Sequence, residues 1–206
     1  RFYDVSSGSI TIDNQDIRDI SLESLRQFVS VVQQDSFLFT ASIENNIAYG
    51  DPWSGGDRIT VANTSAQLHD YVARLPLGYG TLIGERGVSL SGGQRQRLSI
   101  ARGIILKPGI IVFDDSTAAI DSGTEQKIRQ ALRKDTEERA TIIVSHRLGS
   151  LMHADEILFL DKGKVIERGN HNALIEKRGR YYDLFRLQTR SGDDQNDKKD
   201  VLGQNE

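Results

Sequence analysis

Cysteine is absent from the 206 residues of the chain, which excludes disulfides, zinc–thiolate sites and thiol nucleophiles and fits a reducing cytoplasmic setting. No apolar run approaches the roughly 20 residues that a membrane helix needs, and no signal-peptide pattern opens the chain. Any membrane connection therefore has to come through a partner or through sequence outside the chain. An excess of positive charge is also lacking: 26 Lys and Arg stand against 29 Asp and Glu, a formal net charge of -3. With acids and bases interspersed and no basic stripe, no nucleic-acid partner is expected. The phosphate-cradling pattern G-x-x-x-x-G-K-[ST] is missing too, because the glycines at Gly55-Gly56, Gly84 and Gly92-Gly93 have no Lys-Ser or Lys-Thr at the required offset. Arg1 stands where an initiator Met would, and Arg1 to Asp4 reads like the end of a helix entering a loop, so the chain is expected to be a fragment.

What is present is ordinary for a soluble globular protein, 37% hydrophobic and 27% charged, and long enough for one substantial core. Ser9 to Ile12 and Phe28 to Val32 are β-rich, with a helix-forming stretch, Ser21 to Gln27, between them. The character changes at Ala41: Asp57 is placed to cap a helix from Arg58 to about Leu75, stopped by Pro76 and Gly78. A helix from Gly93 to about Ile105 ends at Lys107-Pro108-Gly109. Ile110 to Phe113 and Thr141 to Val144 read as strands buried on both faces of a parallel sheet, joined through a helix from Gly123 to Arg133 in a right-handed crossover. Asp161-Lys162-Gly163 sits in a hairpin between Glu156 to Leu160 and Lys164 to Glu167, and Asn172 to Leu187 form a last helix. The polar composition beyond Arg190 predicts disorder. The expected division is residues 1–40 as part of an α/β core, 41–88 as a helical subdomain of the same domain, 89–188 as the remaining core, and 189–206 as a disordered tail.

Two segments carry the chemistry. In Leu90-Ser91-Gly92-Gly93-Gln94, glycines at a helix start let backbone N–H groups and the positive helix end approach an anion; alone, the same residues also make a simple helix-capping turn. Asp114-Asp115 end a strand where α/β proteins bind ligands. One carboxylate can hold Mg²⁺ and its neighbour can polarise a water, or both can cap the next helix.

Together these segments resemble the nucleotide-binding domain of an exporter-type ABC transporter, over residues 1 to about 188. Leu90 to Gln94 match the signature motif and Ile110 to Asp114 resemble Walker B. The resemblance implies a RecA-like P-loop NTPase core, incomplete and with an inserted helical subdomain, that binds ATP and Mg²⁺. Gln34 matches the Q-loop glutamine, which senses Mg²⁺ and the transporter's coupling helices, and His146 matches the switch histidine that contacts the γ-phosphate. Asp121 matches the D-loop, which crosses the dimer interface; it is equally suited to cap a helix. Thr81 to Gly87 resemble the exporter X-loop. The resemblance further implies a second nucleotide-binding domain as partner, with Leu90 to Gln94 serving the ATP held by that domain. It also implies attachment, at the cytoplasmic face of a membrane, to a transmembrane domain absent from this chain.

Asp115 departs from the family, which usually carries a catalytic glutamate there. Its carboxylate would sit about 1 Å further from the water, a misplacement that costs on the order of 100-fold in rate. This resembles the degenerate site of heterodimeric exporters, so a heterodimer is favoured. ATPase activity is expected in the full-length protein and not in the isolated chain. A non-catalytic ABC fragment and a non-transport ABC ATPase are the alternatives, but a repair-type coiled coil between Gln34 and Leu90 is lacking.

Overall fold

The computed structural model describes residues 1–34, 37–84, 89–117, 119–135 and 139–189. Glu85 to Gly87, expected as part of an X-loop, and the tail from residue 190 lie outside them. Packing divides the chain into two compact units, residues 1–144 and residues 145 onward.

The first unit opens with a small hairpin, β1 (Thr11–Ile12) and β2 (Gln15–Asp16), turned by Asp13 and Asn14 at φ 48° and 66°. Asx residues tolerate this left-handed geometry best after glycine. Helix α1 (Leu22–Phe28), capped by Ser21, delivers the chain into β3 (Val29–Val32). A helical lobe follows: α2 (Ile43–Ile47), α3 (Gly56–Ser65) and α4 (His69–Ala73). The single helix expected from Arg58 to Leu75 is two helices, and its cap is the backbone of Gly55, not the side chain of Asp57. The chain breaks at Gln67, which adopts φ 58°. Ala66, Leu68 and Val72 are almost completely buried, so the kink is set by burying both sides of it, against local helix preference.

Helix α5 (Gly92–Ile104) leads into β4 (Ile110–Asp114), and α6 (Ser122–Asp135) into β5 (Ala140–Val144). The sheet is parallel in the order β3-β4-β5, with Val32 opposite Phe113 opposite Ile143 and Val31 opposite Val112 opposite Ile142. Val32, Ile111 and Phe113 join Ile43, Leu98, Ile100 and Ile128 in the main core. The expectation that both later strands are buried on two faces is corrected here. On β5, Ile142 and Val144 are 50% and 52% exposed, and Val31 on the same face is 55% exposed. One face is covered by helices and the other is open, and β5 is an edge among the described strands.

The second unit contains α7 (Leu148–Leu151), the hairpin β6 (Ile157–Asp161) and β7 (Lys164–Gly169), α8 (His171–Lys177) and a further helix α9 over 180–189. The hairpin turns on Lys162 and Gly163 at φ 48° and 75°, the pair of positive angles that a tight antiparallel turn requires. The last helix expected from Asn172 to Leu187 is again two. Arg178 turns left-handed at φ 51°, and the buried Glu167 carboxylate accepts from the backbone N–H of Arg180 at 2.6 Å and Tyr181 at 3.3 Å, capping α9 from another element. Thr189, expected in the tail, is helical. Leu148, Ile157, Leu174 and Tyr181 form this unit's core. No helix among the described residues is long and apolar enough to cross a membrane.

Candidate functional site

The start of α5 is built by a capping box. Ser91 Oγ accepts from the Gln94 backbone N at 3.3 Å, and Gln94 Oε1 accepts from the Ser91 backbone N at 2.8 Å, satisfying two groups that a helix start leaves unpaired. Leu90 is 5% exposed and anchors the turn in the core, where its carbonyl accepts from Arg95 Nη1 at 2.7 Å. Gly93 is required by packing, since a Cβ there would lie 2.9 Å from the Ala119 carbonyl oxygen. Ser91 itself remains exposed and Gly92 to Gln94 are half-buried, so the capping box and the packing of Gly93 fix a helix start that meets solvent at Ser91.

Asp114 is the exposed last residue of β4, and Gln34 lies just past the end of the adjacent parallel strand β3, also exposed. The structure thus brings both to the carboxyl edge of one sheet, where ligands bind in α/β folds. Asp115 continues the ladder, its N–H donating to the Val144 carbonyl at 2.8 Å, but its φ of 46° is left-handed, so the chain leaves the strand abruptly at the second acid. Aspartate tolerates that conformation better than glutamate or most other residues. Among the described residues no group of three or more His, Cys, Asp or Glu gathers around a common point. An exposed carboxylate at a strand end fits Mg²⁺, which keeps much of its water and takes one or two carboxylates together with substrate phosphates.

Asp121 caps α6: its Oδ1 accepts from Thr124 N at 2.9 Å, and Glu125 N donates to its carbonyl. The hydrogen bonds from Thr124 hold its carboxyl below the ordinary 3.8, with a smaller contribution from the Arg97 guanidinium. His146 belongs to the second unit and is exposed. Its backbone carbonyl accepts from Gln188 Nε2 at 2.7 Å, while Gln188 Oε1 accepts from Leu148 N at 3.0 Å, so α9 pins the segment that carries the histidine.

Several residues absent from the sequence reading also shape the site. Arg97 Nη1 donates to the Gln67 carbonyl at 2.6 Å, which ties α5 to the kink between α3 and α4; burial pushes its pKa down, offset in part by Asp121. Arg102 donates to the Asn46 carbonyl at 2.8 Å, to Asn46 Oδ1 at 2.7 Å and to the Phe37 carbonyl at 2.9 Å. It also lies over the rings of Phe39 and Tyr49, which stack with centroids 4.3 Å apart. Next to this stack an open cleft of about 250 Å³ is lined by Val31, Phe37, Tyr49, Arg102 and Leu106 among others. Local sequence carries no trace of these partners, since Arg102 and Phe37 are 65 residues apart. Of the X-loop, the described part is held in place: Ile43 N donates to the Thr81 carbonyl and Ile83 N to the Ala41 carbonyl.

Comparison with known proteins gives a consistent answer. The family model described as ABC transporter matches residues 1–118. The chain is 48% identical over 190 residues to the uncharacterized ABC transporter ATP-binding protein YknU of Bacillus subtilis, covering 92% of this chain and 32% of that protein. It is 46% identical to human ATP-binding cassette sub-family B member 6, over 91% of this chain and 22% of the relative. It is 44% identical to an ATP-dependent lipid A-core flippase of Syntrophus aciditrophicus, over 91% and 31%. Among solved structures, a bacterial Atm1-family ABC exporter with ATP bound superposes with a TM-score of 0.87 at 42% identity, covering 91% of this chain and 33% of that one. The chain therefore spans a third or less of the length of these relatives.

Proposed function

The chain belongs to the ABC transporter family as a nucleotide-binding domain of exporter type with a P-loop NTPase fold, and from that premise we propose that it powers export as one half of a two-site ATPase. The observation that carries this reading is the start of α5, where a capping box and a packing-enforced Gly93 fix the backbone of Ser91 to Gln94, with Ser91 exposed and Gly92 to Gln94 half-buried. Such a helix start suits the phosphate groups of an ATP presented by a second domain.

In this reading Asp114 and Gln34 hold the Mg²⁺ of the ATP bound in cis, and the ion offsets the phosphate charge when present. Asp115 orients the attacking water, His146 contacts the terminal phosphate, and Asp121 lies between the two sites. Because Asp115 is shorter than glutamate and sits on a left-handed backbone, this site hydrolyses slowly, and the partner is a different domain with a competent site. The lysine of the phosphate loop is not among these 206 residues, so the isolated chain does not turn over ATP. The cleft beside Phe37, Tyr49 and Arg102 is open and has aromatic side chains in its wall, which suits it to receive the coupling helices of a transmembrane domain, with this domain at the cytoplasmic face of the membrane.

ATPase assays on the full-length protein test both layers. Asp115→Glu is expected to raise the contribution of this site on the order of 100-fold, and adding Asp114→Asn to that variant is expected to remove the gain. A gain that survives Asp114→Asn would sink the role given to Asp114, whereas no gain in Asp115→Glu would sink the slow-site reading.

A further inference from the structure

The first turn of α5 and the turn between β4 and α6 are joined by contacts that the roles above leave unused. Gln96 is 7% exposed, and its Oε1 accepts from the Ala119 backbone N at 2.9 Å. On the same residue, the carbonyl oxygen packs against Gly93 so closely that a Cβ would meet it at 2.9 Å. Both peptide groups of Ala119 are thus registered against α5, one by a hydrogen bond and one by close packing. The turn is itself closed by Ile120 N donating to the Thr117 carbonyl at 3.0 Å, and it ends at Asp121, the cap of α6. A neutral acceptor suits this buried position: an amide supplies one directly, and a carboxyl supplies one when protonated.

Under the functional reading, Ser91 to Gln94 face the ATP of the opposite domain, while Asp114 and Asp115 serve the ATP in cis. We propose that Gln96 is a positioning residue that locks these two segments into one rigid body, so that nucleotide at one ATP site is registered at the other. The coupling rests on that functional reading; the lock itself does not.

The test is amide hydrogen exchange on the full-length protein, with and without Mg-ATP, for wild type, Gln96→Met and Gln96→Glu. Methionine keeps the volume and removes the acceptor; glutamate keeps an acceptor. Without nucleotide, Ala119 is expected to exchange roughly tenfold faster in Gln96→Met, with the amides of Leu98 to Ile104 unchanged and protection restored in Gln96→Glu. With Mg-ATP, Gly92 to Gln94 and Ala119 slow together in wild type, whereas in Gln96→Met only Gly92 to Gln94 slow. Equal nucleotide-free exchange at Ala119 in wild type and Gln96→Met would overturn the lock. Joint slowing that persists in Gln96→Met would overturn the coupling. A wild type whose two segments both ignore Mg-ATP would overturn the functional reading and the coupling with it, while the nucleotide-free comparison still decides the lock.

Discussion

At the residue scale, Asp121 shows how one side chain answers to two demands. Its carboxylate caps α6 through Thr124, and the same hydrogen bonds lower its pKa from the ordinary 3.8. A carboxyl depressed in the folded state stabilises the protein above its unfolded pKa, and that contribution is lost as pH falls through the lower folded value. Asp121→Asn keeps an acceptor for the cap but does not titrate. The thermal midpoint of the variant should therefore lie below wild type near neutral pH and converge on it as pH falls below the ordinary carboxylate range. A constant offset across that range, measured by circular dichroism melts, would show that the charge plays no part. The cap was visible in the sequence because it depends on residues three apart; at the start of α5 the sequence reading gives only a glycine-led capping turn, and the Ser91–Gln94 capping box is a finding of the structure. Gln96 and Gly93 were not separable from their neighbours, because their partner Ala119 lies more than 20 residues downstream and only packing brings it close.

At the scale of elements, α5 is the beam to which the helical lobe is fastened. Three acceptors from the Phe37 to Asn46 segment converge on the guanidinium of Arg102, and Asn46, fully buried, is satisfied through Arg102, Phe39 and Ser42. Arg102→Lys supplies a point charge that cannot span the same acceptors, so it should lower the unfolding free energy by about 2–3 kcal/mol, read from urea titrations. A loss within experimental error of zero would mean that the lobe is held by its apolar contacts alone. The longer helical stretches were legible from the sequence, but the short α2 and α7 and the breaks at Gln67 and Arg178 were not. Each break is paid by a distant group: the Gln67 carbonyl by Arg97, and the start of α9 by Glu167. A residue other than glycine at positive φ leaves little local signal.

At the scale of the molecule, the parallel sheet is covered on one face only. Val31, Ile142 and Val144 are each about half exposed on strands whose apolar runs suit burial on both faces. An open apolar face beside an unpaired edge is a site of self-association. The double variant Ile142→Thr, Val144→Thr keeps β-branched residues, so stability should change by no more than about 1 kcal/mol while self-association of the chain falls. Light scattering against concentration checks this, and equal association in both proteins would locate the sticky surface elsewhere.

By itself the sequence determined the family, the strand that ends at Asp114 and the strand that follows it through a helix, and the glycine-led start of α5, because each is written in neighbouring residues or in a contiguous motif. It also foresaw the turn at Lys162-Gly163 for the same reason. Tertiary structure alone decided where the helices break, which face of the sheet is open, and how α5 is bound to Ala119, Gln67 and Asn46. Those outcomes depend on burial and hydrogen bonds between residues far apart in the chain, and burial is a property of the packed whole, not of any window along it.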